Sequence, residues 1–338
     1  MAVSRTIKVL VAGGAAAGAA VAATAMAANP VFRDEARRLR RLARPLGVSS
    51  PGAPVPPPLP PGSVVVLPGR GEVFVRDTGD VPGDGPAAPP VILLHGWTVS
   101  ADLNFFALYG ELAARQRVIA FDHRGHGRGM RPRTPFALED CADDCAALLD
   151  ELGVGSAIVV GFSMGGAIAM LLHHRHPELV AGMVFCGTAL EWKASARERL
   201  VWRGMSLLEV ALRSGTGEGI VARVLREVID GSPELEALEP WARGEFHRGY
   251  APDLAGAGRA LAAYDGRTLA PNVDVPCAVV VTTTDEMVRP EKQYELADAL
   301  DADTYALEGD HFAPFTKGPA FAKAIRTAVD RVTAAVLR

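Results

Sequence analysis

Gly161-Phe162-Ser163-Met164-Gly165-Gly166 follows the apolar run Ala157-Ile158-Val159-Val160 and opens a segment with helical spacing, Met164–His176. A G-x-S-x-G turn between a strand and a helix is a nucleophile elbow. Its glycines have a steric reason, because side chains beside so tight a turn collide. The turn aims the Ser163 hydroxyl out of a sheet. It also sets the hydroxyl beside a helix N-terminus, where free N–H groups carry partial positive charge.

On both sides of this turn the chain alternates. Ser63–Leu67 and Glu72–Asp77 read as a hairpin around Pro68-Gly69-Arg70-Gly71. Val91–Leu94, Arg117–Phe121 and Val180–Cys186 read as further strands, Asn104–Arg115 and Phe136–Leu152 as helices. Residues 192–264 then read as helices only, with a start at Ser232-Pro233-Glu234. Alternation resumes with strand Cys277–Thr282, helix Glu291–Leu300, strand Asp303–Leu307 and helix Gly318–Leu337. Such alternation predicts an α/β fold, a mostly parallel sheet covered on both faces. The helical excursion, at about 190–266, is expected to be a cap over the sheet.

A serine hydroxyl needs a base oriented by a third group. Among eight histidines, His311 in Glu308-Gly309-Asp310-His311-Phe312 is the expected base, because it follows the last strand at the edge where parallel sheets place their sites. His173, His174 and His176 close the helix after the elbow, where cations suit the dipole, and read as structural. The orienting acid is expected at Asp285, just past Val279-Val280-Val281-Thr282-Thr283-Thr284, with Glu286 and Glu191 as alternatives. Asp310 reads as a loop residue. Acyl chemistry also needs two donors for the oxyanion. The Met164 N–H follows the nucleophile, and the Trp97 N–H lies in His95-Gly96-Trp97 after Leu94. His95 is read as a brace for that loop.

The N-terminal part is a different object. Residues 1–44 hold eight cations against two anions, a net of +6, so with a chain total of -4 the other 294 residues carry -10. No basic balance in the body asks for nucleic acid. Val9 to Ala28 is uncharged and rich in Ala, Gly and Val, and six arginines follow between 33 and 44. A membrane anchor, a cleaved signal ending at Ala25-Met26-Ala27, and an Ala-rich tail compete. The arginine cluster favours an anchor with the body on the cytoplasmic side, export after cleavage being the alternative. Residues 48–62 are Pro-rich, a stiff linker after the segment 1–47 and before a domain at 63–338. Cysteines 141, 145, 186 and 277 are too few and scattered for a disulfide scaffold, and no spacing suggests a metal.

Together these pieces resemble the α/β-hydrolase fold superfamily over roughly residues 70–335. The resemblance rests on His95-Gly96-Trp97, Asp122-His123-Arg124-Gly125-His126-Gly127, the Ser163 elbow, His176-Pro177-Glu178, Val275-Pro276 and Gly309-Asp310-His311. It implies an eight-stranded sheet, a helical cap after the sixth strand and a Ser163–His311–Asp285 triad. One departure is Thr282, where relatives often have glycine. The implied activity is hydrolysis of a carboxylic ester, of carboxylesterase or lipase type, with no cofactor. A perhydrolase or haloperoxidase, a C–C bond hydrolase and a ligand-binding receptor share the same constellation. Dehalogenases and epoxide hydrolases of this fold use a carboxylate nucleophile, which Ser163 argues against. A small, apolar substrate is expected, because the insert supplies Trp202, Met205, Leu207, Leu208, Val210, Leu212, Ile220, Val221, Val224 and Leu225.

Overall fold

The computed structural model describes residues 55–81, 88–131, 134–193, 233–249 and 251–338. Among them, eight strands form one sheet: β1 Gly62–Leu67, β2 Gly71–Asp77, β3 Val91–Leu94, β4 Val118–Phe121, β5 Ala157–Phe162, β6 Val180–Cys186, β7 Cys277–Thr282 and β8 Asp303–Leu307. Their order across the sheet is β1-β2-β4-β3-β5-β6-β7-β8. The β1/β2 hairpin and the β2/β4 pair are antiparallel. From β4 to β8 every pairing is parallel.

Why these strands form is visible in how their side chains divide. In β3, Ile92 and Leu94 enter one core while Val91 and Leu93 enter the other. The period of two repeats in β4, with Ile119 and Phe121 against Val118 and Ala120. On the first face lie α3 (Leu138–Glu151), α4 (Met164–Arg175) and α7 (Pro290–Ala299). On the second lie α1 (Ala101–Phe105), α2 (Tyr109–Ala113), α8 (Ala313–Thr316) and α9 (Gly318–Val336). Strands buried on both faces read as continuous apolar runs, which is why they are legible in sequence.

The order reverses at the centre, where β4 lies on one side of β3 and β5 on the other. Ligand sites in open parallel sheets sit at such a switch point, outside the carboxyl ends of the strands. The loops that leave β3 and β5 there carry Gly96-Trp97 and Ser163.

Two expectations change. The single helix at 104–115 is two short helices, α1 and α2, separated by a turn at 106–108. The start moves to Ala101 because the Ser100 hydroxyl accepts the Leu103 N–H at 3.2 Å and Asp122 accepts the Ala101 N–H at 2.7 Å. The segment also serves two cores: Phe105, Leu108 and Leu112 face the sheet, while Leu103 and Phe106 meet Trp241 and Phe315. The Pro-rich run also reaches onto the domain before residue 63. Leu59 packs on the core, and the Pro60 carbonyl accepts from Arg76 at 2.7 Å.

Between β6 and β7, α5 (Pro233–Phe246) and α6 (Ala251–Ala263) are helical, as expected for that part of the insert. Residues 194–232, with the apolar side chains from Trp202 to Leu225, lie outside the described residues, as do the segments 1–47 and 48–54. Among the described residues no helix is long and apolar enough to cross a membrane. The expected anchor at 9–28 is not among them.

Helix α5 is tied to the sheet by buried charge. Glu245 accepts from Arg128 at 2.6 Å, from the Ser100 hydroxyl at 2.8 Å and from Arg248 at 2.9 Å. Removing one partner of a buried pair costs about 3–5 kcal/mol when the remaining charge is stranded. Arg128 is partly exposed and keeps Asp102 at 3.3 Å, so its loss is smaller. Glu245→Ala is expected to lower unfolding free energy by about 2 kcal/mol in urea denaturation. A loss below about 0.5 kcal/mol would show that water screens this contact.

Candidate active site

Ser163 leaves β5 with φ 54° and ψ -117°, a strained conformation for a residue with a side chain. The turn is held by two hydrogen bonds: the Ser163 N–H donates to the Cys186 carbonyl and the Gly166 N–H to the Ser163 carbonyl, both at 2.9 Å. A side chain at Gly165 would run into the carbonyl of Leu94, and one at Gly161 into that of Gly165. Gly165 is therefore needed for the close approach of α4 to β3, and Gly161 for that of α4 to β5.

His311 follows β8 and Asp285 follows β7. The Ser163 Oγ lies 3.0 Å from His311 Nε2, and His311 Nδ1 lies 2.7 Å from Asp285 Oδ2. Ionised Asp285 only accepts, so Nδ1 carries the proton and Nε2 is left to accept from the serine. The Asp285 side chain is fully buried. It takes the N–H groups of Met287 and Val288 on Oδ1 at 2.8 and 2.9 Å, and the Thr282 hydroxyl on Oδ2 at 3.0 Å. Of the expected acids, the structure brings Asp285 to His311. Glu286 is exposed, and Glu191 pairs with Arg267 at 3.0 Å. Asp310 closes a loop on the Phe312 N–H, at 2.9 Å.

The loop after β3 is fixed from three directions. The Gly96 N–H donates to Asn104 Oδ1 at 2.7 Å. His95 Nε2 accepts the His123 N–H at 2.9 Å, which leaves the proton on Nδ1 to donate to the Gly96 carbonyl at 2.8 Å. With both ring nitrogens engaged, His95 is a brace and not a base. A trans peptide points its N–H opposite to its carbonyl, so the Trp97 N–H faces away from His95. Gly96 itself passes close to Ser163, where a Cβ would stand 3.3 Å from Ser163 Cβ. The Trp97 indole N–H donates to the Leu254 carbonyl of α6 at 2.7 Å, joining this loop to the inserted helices. Met164 is the first residue of α4, where N–H groups have no partner within the helix.

Some participants are not apparent in the sequence. Thr282 was legible only as a departure from glycine, and Asn104 and Gln293 gave no signal. His173 and His176 stand at the helix end as expected, and there they also meet Asp274 at 3.1 Å and Asp143 at 2.9 Å. No group of three or more His, Cys, Asp or Glu among the described residues is arranged to hold a metal.

Residues 89–211 match the family described as alpha/beta hydrolase fold. A putative non-heme haloperoxidase of Mycobacterium phage D29 is 30% identical over 237 residues, covering 66% of this chain and 81% of that protein. A non-heme chloroperoxidase of Streptomyces lividans is 38% identical over 118 residues, 33% of this chain, and the match spans only 39% of its own length. The crystal structure of an enol-lactonase from Burkholderia xenovorans LB400 superposes with a TM-score of 0.66 at 24% identity, covering 79% of this chain and 100% of that one.

Around the loop after β3, His95, His123 and His126 are fully buried, with the centroids of the last two 4.3 and 5.4 Å from that of His95. Burial pushes all three below the ordinary range, His126 to about 4. The unfolded chain takes protons on these rings near pH 6.5, and the folded one does not. Their contribution is therefore present above pH 6.5 and lost as pH falls toward 4, by up to about 1.4 kcal/mol per ring per pH unit. Burial of Asp122, raised to about 6, works the other way, since the folded state takes up that proton first. Three rings outweigh one carboxylate. The urea midpoint is expected to fall between pH 7 and pH 5, and an unchanged midpoint would contradict the neutral, buried state of the cluster.

Proposed function

The chain belongs to the α/β-hydrolase superfamily, and within it we propose that it cleaves carboxylic esters through an acyl-enzyme on Ser163. One observation carries this reading: a continuous hydrogen-bonded line from the Ser163 hydroxyl through His311 to a buried, fully accepted Asp285. His311 takes the hydroxyl proton as Ser163 attacks the carbonyl carbon, and Asp285 stabilises the imidazolium that forms. The N–H groups of Trp97 and Met164 receive the oxyanion. Loss of one such donor typically costs about 10²–10³ in kcat. His311 then returns the proton to the leaving alcohol. A water molecule, deprotonated by the same imidazole, releases the acid.

The half-buried Trp97 beside Ser163 supports an uncharged, apolar ester of small to medium size. The names of two relatives, a chloroperoxidase and a haloperoxidase, favour a second reading in which hydrogen peroxide replaces water as acyl acceptor. The two share every step up to the acyl-enzyme. Residues 1–44 are proposed to hold the domain at a membrane, their arginines meeting anionic headgroups at roughly 1 kcal/mol each. Fractionation checks this part: full-length, uncleaved protein wholly in the soluble fraction would overturn it.

The chemistry is tested with p-nitrophenyl acyl esters of graded chain length. Ser163→Ala is expected to lower kcat by roughly 10⁴- to 10⁶-fold while the fold persists. Substantial turnover by a folded Ser163→Ala variant would remove Ser163 from the mechanism.

A further inference from the structure

Thr282 ends β7 where its backbone and side chain both meet Gln293 of α7, eleven residues on. Which atom donates in each contact follows from the partners. The Thr282 N–H can only donate, so the atom 3.0 Å from it is the Gln293 carbonyl oxygen. The Val288 carbonyl can only accept, so the atom 2.7 Å from it is the Gln293 amide nitrogen. That nitrogen has one proton left, and the Thr282 hydroxyl oxygen lies 2.8 Å away to receive it. The hydroxyl's own proton then has two acceptors in reach. Gln293 Oε1, at 3.2 Å, is neutral and already occupied. Asp285 Oδ2, at 3.0 Å, is charged. The proton goes to Asp285.

Asp285 Oδ2 is also the oxygen that accepts from His311. We propose that Thr282 is a positioning residue: its hydroxyl, oriented by Gln293, fixes the carboxylate oxygen on which His311 is aligned. The proposal rests on the triad reading above. The two backbone donors hold only Oδ1. Without the hydroxyl, rotation of the carboxylate about its Cβ–Cγ bond is opposed on the His311 side by the imidazole alone. Thr282, Asp285 and Gln293 are all buried, so water has no ready access to replace the lost donor. A glycine at 282 would leave Oδ2 with the imidazole as its one protein donor.

The test compares Thr282→Val, which keeps the shape and removes the hydroxyl, with Thr282→Ser, which keeps the hydroxyl. Thr282→Ala, which cannot clash, serves if the valine variant does not fold. Two readouts are taken on the full chain: ester kinetics, and the low-field proton resonance of the His311 Nδ1–H, assigned by its absence in His311→Ala. Thr282→Val is expected to lower kcat about 10-fold with KM within about twofold, and to move or broaden the resonance. Thr282→Ser is expected to restore both. A folded Thr282→Val protein with unchanged kcat and resonance would overturn the proposal. So would a serine variant as impaired as the valine one, since packing of the methyl group would then be the cause. A wild-type protein that turns over no ester defeats the ester reading instead, and the resonance still reports on Thr282.

Discussion

At the head of the sheet the first turn of α4 presses against the last carbonyl of β3, at a point where position 165 has no side chain to intervene. This contact sets the distance between the loop after β3 and the turn after β5. It holds Ser163 in its strained conformation, directs the N-terminus of α4 at the same point and brings Gly96 alongside the nucleophile. The topology supplies the rest. The strand order reverses between β4 and β5, the place where open parallel sheets hold their ligand sites. β7 and β8, farther along the same edge, deliver Asp285 and His311.

The site holds its charges at a cost, and the surrounding contacts offset it. A carboxylate removed from water needs donors for its lone pairs. Asp285 has four: two backbone N–H groups, a hydroxyl and an imidazole. The loop after β3 packs with three imidazoles that burial keeps neutral. Larger charges are kept to one side, in pairs such as Arg76 with Asp102 at 2.8 Å and Arg128 with Glu245 at 2.6 Å. The second of these pairs and the Trp97 indole join the inserted helices to the loops after β4 and β3.

Much of this was legible in the residues. The bounds of Val180–Cys186 and Cys277–Thr282 follow from apolar runs that a sheet covered on both faces demands. The elbow and His311 follow from turn chemistry beside a strand. What stayed hidden depends on partners distant in sequence. The early start of α1 rests on Asp122, twenty-one residues ahead, which periodicity cannot reveal. Thr282 stood out as an exception to a pattern, but its reason lies in Gln293 on another element.

The central claim is that Ser163 is a nucleophile made reactive by His311 and Asp285. A fluorophosphonate probe tests it without knowledge of the substrate, because the probe reacts with an activated serine hydroxyl. Labelling of the folded protein, followed by mass mapping of the adduct, is expected to give one modification, on Ser163, and none in His311→Ala. An adduct on another residue, or none on the folded wild-type chain, would contradict the account.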